Sequence, residues 1–275
     1  MGGDYSANEL VPTQAAVKAY IDNVVVPFGQ GGKTYTISSQ VDFDDLFNRG
    51  EGTIIDSNTT VLLLPLGNQD FNTTAYQLKN TVRIRSCVSI VGFNEASTRI
   101  VKSNANCRFE LIGSAGAPIE SVNFDGFTFD GGNLATARSG AALYLEHVQR
   151  CQFNCRFENH ITWADGGAIY AAMMGENYTV SHIEARNIYY CQAITQSGGT
   201  SIDRSEGGAA YGLDRSVIHA YFCKAEYGGG VSLCRASQVV AEGCSASLKG
   251  GAAYRCLQLR MNAVDCSVDE YNGQG

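Results

Sequence analysis

Glu158, His160, Trp163 and Asp165 fall within eight residues of one another, and Asp203, Arg204 and Glu206 within four. Cleaving a glycosidic bond takes two carboxyl groups held roughly 5–10 Å apart, one to protonate the leaving oxygen and one to act on the opposite face. Glu158, Asp165, Asp203 and Glu206 are therefore the candidate catalytic acids. Trp163 is the only tryptophan, and an exposed indole offers a flat apolar platform to a sugar ring. With His160 and Arg204 it completes a candidate glycan-binding set. Each of these residues also has a plainer role. Carboxylates on a β surface are mostly solvated, and a tryptophan commonly packs beneath its own loop. Asp125 and Asp130 flank a turn, where aspartate bonds local backbone, and His182 and His219 sit in strand-like contexts with no evident acid and nucleophile beside them. No column of the repeat described below combines cysteine with histidine, so no metal site or other cofactor is expected.

What positions these groups is a repeat. Gly208, Gly229 and Gly251 are spaced by 21 and then 22 residues, and fifteen residues after each stands a cysteine, Cys223, Cys244 or Cys266. A shorter signature, apolar-x-apolar-x-x-apolar, starts at Val88, Val122, Val148, Ile183, Ile218, Val239 and Met261. Alternation puts the first two apolar residues on one face of a strand, and the two-residue gap before the third calls for a bend. Gly92, Gly126, Gln152, Asn187, Phe222, Gly243 and Asp265 occupy the bend position. Most of these types tolerate the backbone conformations of a sharp corner; Phe222 does not. A second strand is expected after each glycine pair, as in Gly166-Gly167-Ala168-Ile169-Tyr170, Gly207-Gly208-Ala209-Ala210-Tyr211 and Gly250-Gly251-Ala252-Ala253-Tyr254.

Short strands, tight corners and a period near 21 residues predict a parallel β-helix whose coils stack about 4.8 Å apart. Like residues then lie over like residues. Cys223, Cys244 and Cys266 form one predicted internal column, Cys234 and Cys256 another. A buried free cysteine behaves as a small hydrophobe, so reduced thiols are expected for the ten cysteines.

Composition narrows the partners. The chain has 275 residues, a formal net charge of −7 and a sequence pI near 5.1. Such a surface repels phosphate backbones and anionic lipid, so neither nucleic acid nor membrane insertion is expected. No run of 18 apolar residues occurs, and the first residues lack the basic and apolar regions of a signal peptide. Synthesis in a reducing bacterial cytoplasm is the expectation. The four-proline, 31-glycine composition fits a packed, turn-rich β protein.

Residues 1–27 read as separate from the repeat. Pro12 suits a first helical turn, and Val17, Ile21 and Val24 form one apolar stripe, which predicts a short α-helix for attachment or oligomerisation. Within it, Leu10-Val11-Pro12-Thr13-Gln14-Ala15-Ala16-Val17-Lys18-Ala19-Tyr20-Ile21-Asp22 resembles a segment of bacteriophage tail fibre and tailspike proteins. In that family such segments precede a distal domain and commonly sit at a trimer axis. Residues 28–275 form the second predicted domain. Asp42-Phe43-Asp44-Asp45-Leu46-Phe47, Gly52-Thr53-Ile54-Ile55 and Val61-Leu62-Leu63-Leu64-Pro65 resemble the capping helix and first strands of pectate-lyase-like proteins. Val88–Phe93 and Val122–Gly131 resemble coils of that superfamily.

These resemblances imply an all-β, single-stranded right-handed parallel β-helix with a short N-terminal helix and a capping helix at residues 42–49. They imply a homotrimeric virion protein of the phage tail that presents loops to a host cell-surface polysaccharide or receptor and docks on other tail proteins. A polysaccharide depolymerase, working as a glycan lyase or glycoside hydrolase, is the alternative. A bacterial surface adhesin is the third, which the Gly-Gly-Ala repeats favour and the expected lack of a signal peptide disfavours. The Asn-Thr-Asp, Asp-Asp and Gly-His-Gly set of polygalacturonases and the acidic calcium cluster of pectate lyases are missing from the sequence, so the resemblance names no catalytic residue.

Overall fold

The computed structural model describes residues 32–50, 52–66, 75–195 and 205–268. The predicted N-terminal helix, the tail fibre-like segment, Asp203, Arg204 and the acidic C-terminal tail lie outside the described residues.

The described chain is all-β with mainly parallel pairing and one α-helix, Gln40–Phe47. Its strands belong to several sheets, of 14, 8, 6 and 2 strands. The 8-stranded sheet runs from Thr53–Ile55 through Val82–Ile84, Phe109–Ile112, Leu143–Glu146, Ile169–Ala171, Ala210–Tyr211 and Val231–Ser232 to Ala253–Tyr254. The 6-stranded sheet begins at Ala135–Thr136 and ends at Ser267–Val268. The small sheet is an antiparallel pair, Met173–Met174 with Asn177–Tyr178.

This arrangement corrects the expected single-stranded right-handed β-helix. The largest sheet folds two arms together through one ten-residue strand, Val180–Tyr189, which pairs with Val148–Phe153 along its first part and with Arg156–Glu158 along its second. A single solenoid needs a corner there in every coil, and the repeat placed one at Asn187. The chain instead runs straight through Asn187, and the register irregularity between Ala185 and Ile188 absorbs the spare residues. The repeat is offset at Val148 as well, because Phe153 stands beside Phe124 rather than Phe127. Ile218 likewise pairs with Ala185 rather than with Ile183. In the last three tiers the period holds, with Ile218, Val239 and Met261 in register and Ala220, Ala241 and Ala263 beside them.

The core is one continuous apolar cluster, aromatic in the first tiers and small toward the last. Phe109 meets Phe47, Phe124 and Phe129 edge-on at 5.1–6.2 Å. Later tiers fill the same space with Ala185, Ala220, Ala241, Cys191, Cys223 and Cys244. All ten cysteines are free thiols, and burial holds the Cys151, Cys155 and Cys223 thiols well above their ordinary range.

The helix Gln40–Phe47 covers the start of this core. Ser39 caps it, its hydroxyl accepting the Asp42 N–H at 3.1 Å, which satisfies one of the open donors of a first turn. Phe43, Leu46 and Phe47 face inward, and Phe43 stacks on Phe47 and on Tyr76 at 4.5 and 5.0 Å. At the other end the last strands lie bare. Leu257, Met261, Val264 and Val268 are each more than two-fifths exposed. Among the described residues no helix is long and apolar enough to cross a membrane.

Candidate functional site

One set of corners builds a chemically distinctive face. Gly140, Gly166, Gly207, Gly228 and Gly250 share a left-handed φ of 65–70°. A Cβ at any of them would come within 2.2–2.3 Å of the carbonyl oxygen three residues on, so no other residue fits. The corners stack through their own backbones: the N–H groups of Gly140, Gly166, Gly207 and Gly228 donate to the carbonyls of Asp165, Glu206, Tyr227 and Lys249 at 2.9–3.0 Å. The residue before each corner therefore falls in one column, Ser139, Asp165, Glu206, Tyr227 and Lys249. The fourth residue after each corner falls in a second, Tyr144, Tyr170, Tyr211, Ser232 and Tyr254, paired strand to strand.

Two of the candidate acids thus meet on adjacent tiers. Asp165 Oδ1 accepts the Glu206 N–H at 3.0 Å, and Glu206 Oε2 accepts the Ser232 hydroxyl at 2.6 Å. Arg255 stands 3.8 Å from the other Glu206 oxygen. Burial, reinforced by the neighbouring Glu206 charge and opposed by the Glu206 N–H, pushes Asp165 up to about 6. Beside the acids, Tyr144, Tyr170 and Tyr211 stack nearly parallel, at 5.8 and 5.1 Å between ring centres. Burial and then the Asp165 charge raise the Tyr170 and Tyr211 phenols. The row is interrupted at Ser232, whose short side chain leaves room for the Glu206 carboxylate, and resumes with Tyr254 against Tyr227 at 4.8 Å.

The arrangement has two chemical capacities. The stacked rings cover one another's faces, so the row presents ring edges and hydroxyl groups, which can donate to and accept from the hydroxyls of a sugar. Two carboxyl groups on neighbouring tiers, joined through the Asp165 Oδ1 to Glu206 N–H bond, are the pair of residue types that glycoside chemistry uses. Asp165 keeps its proton up to about pH 6, and the Glu206 carboxylate accepts hydrogen bonds.

The other candidates lie elsewhere. Glu158 is buried beneath Arg99 and Arg156, with Arg156 Nε donating at 2.7 Å and Arg99 bridging it to Asp130. The structure places His160 in the core, fully buried between Phe129 and Phe157, its Nε2 3.0 Å from the Phe129 carbonyl. Burial pulls it down to about 3, so it is neutral at physiological pH. Trp163 is half-buried next to Thr162, two residues before Asp165, and its backbone N–H donates to the Thr136 carbonyl at 2.8 Å. The tyrosines were the missed signal. Three glycine pairs, at Gly166, Gly207 and Gly250, lead into Ala-x-Tyr, and that tyrosine is the residue in the column.

A second aromatic group lies on the long sheet. Tyr189 stacks on Tyr221 at 4.6 Å, Tyr190 on Phe222 at 5.4 Å, and the Arg156 guanidinium sits 4.1 Å above the Tyr189 ring. Phe222 does take the left-handed corner, at φ 55°, with its ring lying over Gly243, where a Cβ would meet it at 2.5 Å. Among the described residues no group of three or more His, Cys, Asp or Glu could hold a metal ion.

The described chain is thus an all-β protein of parallel sheets with a tyrosine- and carboxylate-lined face. No family model and no curated protein matches the chain. Among solved structures it is similar to ORF18 of Geobacillus virus E2, at 14% identity and a TM-score of 0.33 over 83% of this chain. The match spans 57% of that protein's length. A phage protein is therefore a structural neighbour of this chain.

Proposed function

We propose that the chain is a phage virion protein of the tail fibre or tailspike type, and that the face formed by Tyr144, Tyr170, Tyr211, Asp165 and Glu206 binds a host cell-surface glycan. The tyrosine row carries the binding half of this reading. Three rings in near-parallel stack at 5.1–5.8 Å, beside carboxyl groups that accept hydroxyl protons, form a surface with no packing function for the core. The virion half rests on the sequence resemblance of Leu10–Asp22. The bare apolar end around Leu257, Met261 and Val264 supports contact with other copies or with other tail proteins, and a homotrimer is the assembly we propose.

A second reading, glycan cleavage, has one observation in its favour: a carboxyl group raised to about 6 beside a second carboxylate. That division of labour is how acid and base roles are assigned in glycosidases. In it Asp165 protonates the leaving oxygen and Glu206 serves as base or nucleophile.

The test is binding of purified host envelope polysaccharide to immobilised full-length protein, with new reducing ends and unsaturated uronate absorbance followed in parallel. Binding that drops at least about tenfold in a Tyr170→Ala, Tyr211→Ala double variant supports the reading, as loss of two stacked rings predicts. Binding indifferent to both substitutions refutes it. Turnover abolished by Glu206→Gln establishes cleavage, and its absence leaves a binding protein.

A further inference from the structure

The tyrosine column does not end at Tyr144. Its register partner on the preceding strand is Glu110, and that residue's partner is Arg83. Arg83 lies about 10 Å, two strand spacings, from Tyr144. It lines a cavity of about 510 Å³ together with Lys79, Asn80, Asn104, Glu110 and Arg138, a size within the usual range for small-ligand sites.

The charge balance inside this cavity is unusual for a chain of net charge −7. Glu110 serves two arginines at once: Arg108 Nη2 at 2.7 Å and Arg83 Nε at 3.6 Å. Arg108 is buried and tied further to the Ser139 carbonyl at 2.6 Å, so it takes the larger share of that carboxylate. Arg83, more than half exposed, is left only partly neutralised. Arg138 is exposed and, among the described residues, has no carboxylate partner. Lys79 is held at the rim by Asp44 at 2.6 Å. Among the described residues the cavity therefore carries an excess of positive charge, with the Arg138 guanidinium without a carboxylate partner, the Arg83 guanidinium only partly neutralised by Glu110 and the Asn80 side chain without a partner. Guanidinium forks bind planar carboxylates in a bidentate manner that a lysine cannot reproduce.

Continuity with the tyrosine row decides what kind of anion fits. The Arg108 guanidinium, which pairs with the cavity's Glu110, also lies over the Tyr144 ring, 4.8 Å from its centre. A ligand reaching from the cavity onto the tyrosine row must carry its charge at one place and a hydroxyl-rich, sugar-like unit next to it. We propose that this cavity is the subsite for the carboxylate of a hexuronic acid unit, and that the glycan bound by the tyrosine face is an acidic, uronate-containing polysaccharide. The inference rests on the glycan-binding reading above, and names its substrate class.

Two measurements separate the inference from that reading. In the first, the full chain is titrated with D-glucuronate, D-glucose and sodium sulfate, with backbone amide shifts recorded. Glucuronate is expected to saturate and to shift the signals of Asn80 and Arg138, with glucose silent. Arg83→Gln combined with Arg138→Gln should weaken glucuronate at least about tenfold, as loss of charged hydrogen bonds implies. No response to glucuronate, an equal response to glucose, or an affinity untouched by the two substitutions would overturn the subsite. Sulfate binding as tight as glucuronate would overturn the uronate assignment. In the second, host envelope polysaccharide is offered before and after chemical reduction of its carboxyl groups. Preference for the unreduced form, lost in the arginine variant, supports the inference. Equal binding of both forms, abolished by Tyr170→Ala with Tyr211→Ala, would overturn the inference and leave the glycan-binding reading standing. Binding of neither form would sink that reading, with the glucuronate titration still scoring the cavity by itself.

Discussion

Replacing Asp165 with asparagine should make the protein more stable at neutral pH, although it removes a group at the heart of the proposed site. Asp165 has a carboxyl pushed from 3.8 to about 6 by burial and by the charge on Glu206. Above that pH the folded chain must hold a charge that the unfolded chain holds at no penalty. The sign follows from proton counting: between 3.8 and about 6 the native state binds more protons than the unfolded state, so stability falls as pH rises. At about 1.4 kcal/mol per pH unit the full penalty is about 3 kcal/mol, reached above pH 6 or so. An amide oxygen can still accept the Glu206 N–H, so the substitution removes the charge and keeps the bond. Denaturant unfolding of the two proteins should show the variant ahead by about 1 kcal/mol near pH 4.5 and by about 3 kcal/mol near pH 7.5. Taking the difference between the two proteins cancels the carboxylates that pull the other way, such as Asp214, which the hydrogen bonds from Arg235 hold low. A pH-independent difference, or a variant less stable at neutral pH, would refute the claim that Asp165 is a strained acid. Such strain is what a site selected for function rather than stability carries.

Other perturbations test the frame that holds the face. Phe109→Ala removes the ring on which Phe47, Phe124 and Phe129 converge, and should cost about 3–5 kcal/mol in denaturant unfolding. Gly167→Ala puts a methyl 1.9 Å from the Gly208 carbonyl and should cost about 3 kcal/mol or yield no folded protein. Gly175→Ala faces open space at φ 63° and should cost only the left-handed strain, about 1–2 kcal/mol; equal effects at the two glycines would contradict the stacked-corner geometry. A thiol reagent should label the half-buried Cys87, Cys256 and Cys266 in the native protein and the seven buried cysteines only after unfolding. Fewer than ten reactive thiols in denaturant would show that disulfides form.

Part of this architecture is written plainly in the sequence. The last three tiers keep a 21–22-residue period because nothing is inserted between Gly208 and Val268, and there the register read from Ile218, Val239 and Met261 is the one the strands adopt. The glycine pairs mark real corners, since a Cβ at Gly166, Gly207 or Gly250 collides with backbone. The capping helix expected at residues 42–49 from the resemblance forms at Gln40–Phe47, two residues earlier, because Ser39 caps its first turn and Phe43, Leu46 and Phe47 face the core. Earlier tiers are not legible in this way, because Val180–Tyr189 stays extended where the apolar spacing called for a bend. The alternation of Ile183, Ala185 and Ile188 fits either conformation, and the contacts to two different neighbours that settle it are tertiary. That strand joins the arms of the largest sheet, which is why a single solenoid does not describe the chain. At the site, Asp165 and Glu206 were visible as acids, but their meeting depends on a Gly166–Glu206 backbone bond spanning forty residues. Local sequence carries no record of such a bond. His160 and Glu158 looked equally available until burial placed one ring in the core and the other carboxylate beneath two arginines.

The proposed glycan lies along the tyrosine row. Hydrogen exchange of the full-length chain, with and without saturating host envelope polysaccharide, tests this placement most directly. Slowed exchange is expected in the strands Leu143–Glu146, Ile169–Ala171 and Ala210–Tyr211 and around Asp165 and Glu206, with the bare end at Arg260–Val264 unchanged. Protection confined to that end, or to the Tyr189 and Tyr221 surface, with the tyrosine row unaffected, would contradict it.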